Sequence, residues 1–195
     1  AVCNDPQDAE VMSEDEIEEY YKMAAENKKI KARGEIGLDY YYDHSPREIQ
    51  KKRLIDKMAL AEELDMPVII HDRDAHEDTL NILRQFPRVR GVVHCYSGSL
   101  EMAEQLLKMG YNLSFTGVIT YKNAKKPLEI IANMPHDRIM IETDSPYLTP
   151  EPKRGSRNDS RNVVFVAEKI AQILKMDSCE VASLTMENGK RFFGI

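Results

Sequence analysis

Short apolar runs rich in β-branched residues alternate with longer segments of helical period along the whole chain, and this alternation restricts the fold more than any other feature. A strand that runs parallel to its neighbour must be followed by a crossover, so repeated strand-helix units imply a parallel sheet. The expected strands are 33–38 (RGEIGL), 67–71 (PVIIH), 91–95 (GVVHC), 112–115 (NLSF) and 139–143 (IMIET), with residues 1–4 as a sixth. Between them, the spacing of Leu54, Met58, Ala61 and Leu64 marks one face of a helix that packs on a sheet.

Helix boundaries follow from side chains that satisfy orphan backbone groups. Ser13 with Glu16, and Asp177 with Glu180, have the spacing of a capping box. Ser45, Pro46 and Glu48 combine that spacing with proline at the first helical position, where its missing N–H costs nothing. Asp74 and Ser99 are expected to cap the next two helices, Pro127 to open a short one, and Gly110 to end one.

No linker or low-complexity tract interrupts the pattern, so residues 1–195 are expected to form a single domain; 42% hydrophobic and 31% charged residues are enough for a sizeable core. No apolar run reaches the roughly 20 residues of a membrane helix, and the first residues lack a basic and an apolar leader region, so a cytoplasmic protein is expected. Cys3, Cys95 and Cys179 are odd in number and widely spaced, which argues against a disulfide framework or a thiolate zinc site. A net charge of −6 excludes a protein that coats nucleic acid through a broad positive surface. It does not exclude an enzyme that holds a few phosphates through cations.

The choice between an open doubly wound sheet and a closed barrel turns on where the polar residues fall. Glu35 and Asp39 occur in GEIGLD, His71 in VIIHDR, His94 in VVHCYSG and Asp144 in IETDSPYL. In a parallel barrel all strand C-termini open on one face, so these residues would converge there. One histidine ending an apolar strand is ordinarily structural. Four of these five strands closing in the ligand alphabet favour a metal site, because buried strands otherwise avoid ionisable groups. Imidazole with carboxylate suits zinc, manganese or iron, with magnesium on the oxygen-rich side.

Other polar groups carry less. His44, His76 and His136 are expected on the surface. Tyr40, Tyr41 and Tyr42 either stack a base or sugar at the mouth of the site or simply cover a barrel rim. Lys122, Lys125 and Lys126 have the composition of a solvated face, whereas Lys153, Arg154, Arg157 and Arg161 follow a late strand, where such barrels often bind phosphate.

GEIGLDYY, PVIIHDRDA, VVHCYSGS, LSFTGVITYK, IETDSPYL and RGSRN, in this order from about Arg33 to Asn158, resemble the successive signatures of the TatD family of metal-dependent deoxyribonucleases, and the closing ENGKRFFGI is similar as well. The resemblance implies an α/β, TIM-like (β/α) barrel and hydrolysis of DNA phosphodiester bonds, typically as a 3′ to 5′ exonuclease on single strands or 3′ ends. By position, Glu35 matches the metal-bridging glutamate, His71 and His94 the two histidines on one ion, and Asp144 the aspartate on the other. Glu35 and Asp144 are then the catalytic pair, with Asp144 orienting the attacking water and Asp39 supporting from behind. Arg73, Ser97, Arg157 and Asn158 match further motif positions and are expected to contact substrate.

The family's opening His-x-His pair has no counterpart here, and Cys3, Asn4, Asp5 and Pro6 stand where its Gly-x-His-Pro motif is usual. Against the roughly 250 residues of such a barrel, the first two strand-helix units are expected to be missing, leaving exposed edges that favour self-association. Two rivals remain: hydrolysis of another substrate, and an inactive barrel fragment that binds metal or a partner. The family holds two divalent ions (Mg, Mn or Zn); without His-x-His, one ion is expected to bind more tightly than the other. Calorimetric titration with Mn²⁺ checks this, and two equally tight sites would overturn it.

Overall fold

The computed structural model describes residues 6–10 and 13–195, so the expected strand at residues 1–4, with Cys3, Asn4 and Asp5, lies outside the described residues. The chain divides into two compact units, residues 1–93 and 94–195. Among the described residues no helix is long and apolar enough to cross a membrane.

The first unit contains α1 (Glu14–Glu26), β1 (Arg33–Asp39), α2 (Arg47–Glu63), β2 (Val68–Arg73), α3 (His76–Leu83) and β3 (Gly91–Val93), preceded by a 3₁₀ turn at Pro6–Asp8. β1 pairs with β2 and β2 with β3, both parallel. Ile36, Leu38, Val68 and Ile70 are fully buried, and α2 lays Leu54, Met58 and Ala61 against β1. The capping box of α1 forms as expected, with Ser13 and Glu16 satisfying each other's backbone N–H.

Two helix starts depart from expectation. Pro46 stands at the N-cap of α2 rather than inside it, with no side-chain cap. The Ser45 hydroxyl is engaged elsewhere: it donates to the Gln7 carbonyl at 2.6 Å and accepts from the Glu10 N–H at 3.2 Å. Asp74 adopts a left-handed conformation, and α3 begins one residue later behind Ala75, again without a side-chain cap.

The second unit contains α4 (Leu100–Lys108), β4 (Asn112–Phe115), α5 (Lys125–Asn133), β5 (Ile139–Ile141), α6 (Val163–Leu174) and α7 (Ser178–Phe193). β4 pairs parallel with β5. Leu106, Leu113, Phe115, Ile131, Ile139, Ile170 and Val181 form a core beneath the helices. Ser99 caps α4 through the Met102 N–H, Asp177 and Glu180 form the box of α7, and Gly110 takes the left-handed position after α4. α5 starts two residues before Pro127, which therefore lies in the first turn, where a missing N–H is tolerated. Asn188 of α7 donates to the carbonyls of His136 and Ile139 at 2.8 Å each, so the final helix is tied to the entrance of β5 by a buried amide.

The expected strand at 91–95 ends at Val93 and that at 139–143 at Ile141. Cys95 and Asp144 have φ of 45° and 55°, and left-handed residues cannot continue a strand. Both turns occur where the polar motif residues begin.

Gly37 lies opposite His71 in the β1–β2 ladder, and a Cβ added there would fall 1.8 Å from the His71 carbonyl oxygen. Glycine lets β1 approach the backbone that carries His71. Gly37→Ala is expected to destabilise the fold by about 3 kcal/mol or more through forced overpacking, measured by urea unfolding; an unchanged midpoint would show that the strands part without cost.

Candidate metal centre

In the first unit the organising group is Asp39, the last residue of β1 and only 1% exposed. Its Oδ1 accepts the N–H groups of Tyr41 and Tyr42 at 3.0 Å each, and its Oδ2 lies 3.1 Å from His71 Nε2. Its backbone is held as firmly. Gln50 of α2, itself buried, accepts the Asp39 N–H at 2.8 Å and donates to the carbonyls of Asp39 and Ser45 at 3.1 and 2.8 Å. A buried carboxylate is costly unless its oxygens are satisfied, and the Tyr41 and Tyr42 N–H groups, His71 and, at 3.5 Å, the Gln7 amide meet that need.

With Nε2 facing Asp39, the other ring nitrogen of His71 faces Glu35, at 3.8 Å from Oε2. Glu35 lies where the β1–β2 register slips between Arg33 and Ile36, and its side chain is 42% exposed. The half-buried imidazole and the open carboxylate therefore form one pair backed by Asp39.

Arg73 closes β2, with its guanidinium 3.9 Å from the Tyr41 ring centre and 4.8 Å from that of Tyr42. Tyr41 and Tyr42 are exposed, and Tyr42 stacks on His44. His76 is half-buried, its Nδ1 2.7 Å from the buried Asp72 carboxylate.

The second unit brings together His94, Glu142 and Asp144, each offering one ligand atom within 4.8 Å of the others. His94 follows β3 and is 8% exposed; its Nδ1 is 3.6 Å from Glu142 Oε2. Glu142 follows β5, and its Oε1 accepts the Cys95 N–H at 2.8 Å. Burial alone would raise the Glu142 carboxyl, but the His94 ring, the Ser114 hydroxyl and the Cys95 N–H together hold it below the ordinary carboxylate range.

Asp144 is presented by a turn whose carbonyls are fastened by Asn158. The Asn158 amide donates to Thr143 O at 2.8 Å and Tyr147 O at 2.6 Å, while its oxygen accepts from Asn162 Nδ2 at 2.8 Å. Asn158 is thus 3% exposed and engaged in shaping the Asp144 turn. Ser97 and Arg157 are exposed. Of the later basic residues, Arg161 forms a two-point pair with Asp159, whose carboxyl is pulled down to about 2 chiefly by that hydrogen bond. Arg154 lies over the Tyr121 ring at 4.2 Å.

Sequence reasoning passed over Glu142 and Gln50. Glu142 had a visible signal, since it stands two residues before Asp144 in IETDSPYL; Gln50 had none, being one polar position in a helix of mixed composition. The donor chemistry at both strand-end clusters, imidazole nitrogen with carboxylate oxygen, fits a divalent ion.

A model of the family described as TatD related DNase matches residues 1–194. An uncharacterized metal-dependent hydrolase of Bacillus subtilis (strain 168), YabD, is 47% identical over 192 residues, 97% of this chain and 75% of the relative. Another, YcfH of Escherichia coli (strain K12), is 39% identical over 194 residues, 98% of this chain and 70% of the relative. Among solved structures, YJJV, a TatD homolog from Escherichia coli K12, aligns with a TM-score of 0.90 at 30% identity, covering 97% of this chain and 74% of that one. A TatD family hydrolase from Entamoeba histolytica aligns with a TM-score of 0.83 at 23% identity, covering 96% and 72%. The α/β, TIM-like class implied by the family resemblance agrees with these neighbours.

Asp39→Asn keeps an oxygen for the two tyrosine N–H groups but replaces the one that faces His71 with an amide that cannot accept. Partners behind metal-binding histidines are typically worth about 10–100-fold in metal affinity. The expected outcome is a loss of that size for Mn²⁺ by calorimetric titration, with the unfolding midpoint little changed; unaltered affinity would remove Asp39 from the centre.

Proposed function

As a member of the TatD related DNase family, this chain is a metal-dependent hydrolase, and we propose that the bond it hydrolyses is a DNA phosphodiester, removed from 3′ ends of single strands. Glu35, His71, His94 and Asp144 are the proposed ligands, following the motif positions of the family. Divalent ions held by them would lower the pKa of a bound water and stabilise charge developing on the phosphoryl group.

The chain's own groups then have separable tasks. Asp144, presented on a turn fastened by Asn158, aligns the attacking water and accepts its proton. To hold an ion, His94 and His71 would each have to offer an unprotonated ring nitrogen. Arg73, Ser97 and Arg157 are proposed to meet the substrate backbone, and the exposed rings of Tyr41 and Tyr42 offer faces on which unpaired bases stack in a sequence-tolerant way. With a net charge of −6, affinity for DNA would come from such local contacts rather than from a broad field. Action in the cytoplasm is part of the proposal.

The observation that carries the reading is the meeting of His94 with Asp144 at two strand ends in a chain matched nearly throughout by the DNase family model. The test is degradation of 3′-labelled single-stranded DNA with Mg²⁺, Mn²⁺ or no metal, beside Glu35→Ala and His94→Ala. Metal-requiring loss of label that disappears in both variants is expected. Equal activity in the variants, or hydrolysis of a non-nucleotide ester or amide instead, would overturn the DNA assignment.

A further inference from the structure

We propose that Glu142 is a positioning residue that keeps the proton of a neutral His94 on Nδ1, so that Nε2 is the nitrogen offered to a divalent ion. The proposal rests on the metal-centre reading above, not on DNA as the substrate.

A neutral imidazole has one N–H and one lone pair, and the partner of one nitrogen decides the role of the other. His94 is 8% exposed, so water has little part in that choice. The group at its Nδ1 is the Glu142 carboxylate, 3.6 Å away. An ionised carboxylate only accepts, so it favours the tautomer with N–H on Nδ1. At 3.6 Å the contact is longer than a hydrogen bond of about 2.9 Å, so the preference is Coulombic, and it acts at full strength because the ring is shielded from water.

The carboxylate is not free to turn away. Its Oε1 accepts the N–H of Cys95 at 2.8 Å, the residue directly after His94, and its backbone N–H donates to Phe115 O at 3.1 Å. Glu142 therefore grips the backbone beside the histidine with one oxygen and faces the ring with the other. Cys95 adopts φ of 45°, so the chain leaves the strand direction at the residue whose N–H the carboxylate holds.

His94, Glu142 and Asp144 are close enough for Glu142 to act as a direct ligand. The engagement of both its oxygens, one with Cys95 N–H and one towards Nδ1, assigns it to orientation instead. His71 offers the mirror arrangement: Asp39 stands at its Nε2, 3.1 Å away, leaving Nδ1 towards Glu35. The two histidines of the family motif thus use opposite nitrogens, each chosen by a carboxylate at the other. Carboxylates in this relation fix ring orientation and raise ligand basicity.

Glutamine separates the two roles. In Glu142→Gln the amide oxygen stays on the Cys95 N–H, which needs an acceptor, and the NH₂ then faces Nδ1. A donor there forces the lone pair onto Nδ1 and the proton onto Nε2, inverting the tautomer.

The experiment is long-range ¹H–¹⁵N correlation NMR of histidine-labelled, metal-free chain above the imidazole titration range, for wild type and Glu142→Gln, with Mn²⁺ calorimetry on both. The expected result is His94 protonated on Nδ1 in wild type and on Nε2 in Glu142→Gln, with Mn²⁺ affinity reduced about 10–100-fold. His94 protonated on Nε2 in wild type would overturn the proposal without reference to any variant. Retention of the Nδ1 proton in a folded Glu142→Gln would do the same, even with weakened Mn²⁺ binding, because that pattern belongs to a direct ligand. Since the tautomer is read without metal or DNA, the result stands apart from any failure to cleave DNA.

Discussion

The Asp39 carboxylate sits at the end of β1 with almost no contact with water, and much of the first unit is arranged to make that tolerable. A buried charge without partners would neutralise or unfold its surroundings. The Tyr41 and Tyr42 N–H groups turn back to one oxygen, His71 approaches the other, and Gln50 grips the adjoining backbone. The chain reversal after β1, the placement of α2 and the orientation of an imidazole therefore follow from one group. Gly37 belongs to the same arrangement, since only a residue without Cβ lets β1 come this close to the His71 carbonyl.

What was legible in the sequence was what repeats. The apolar, β-branched runs located all five described strands, β4 residue for residue, and the helix caps at Ser13, Ser99 and Asp177 read correctly because each depends on a local side-chain bond. The strand ends at Val93 and Ile141 were overrun because left-handed turns at Cys95 and Asp144 have no compositional mark. Ser45 had the sequence of a cap and a different task, since a distant carbonyl and N–H claimed its hydroxyl. Tertiary partners of this kind cannot be inferred from periodicity.

The candidate site divides along the same line. Glu35, His71, His94 and Asp144 were visible as ligand types at strand ends, because ionisable groups are conspicuous beside apolar runs. Glu142 and Gln50, which set their geometry, were not, and Asn158 was visible as a motif position but not in the role of fastening the Asp144 turn. Such groups act by what they touch, and only the fold shows that.

Asp144 joins two requirements in one position. Its φ of 55° is one that aspartate, asparagine and glycine accept more readily than other residues, and its carboxylate is the group placed beside His94. Glutamate would preserve the charge while straining the turn, and alanine would lose both. The repertoire at this site is therefore narrower than chemistry alone would set. Asparagine or glycine would keep the shape of the turn while removing its charge, so at this position form and charge can be separated.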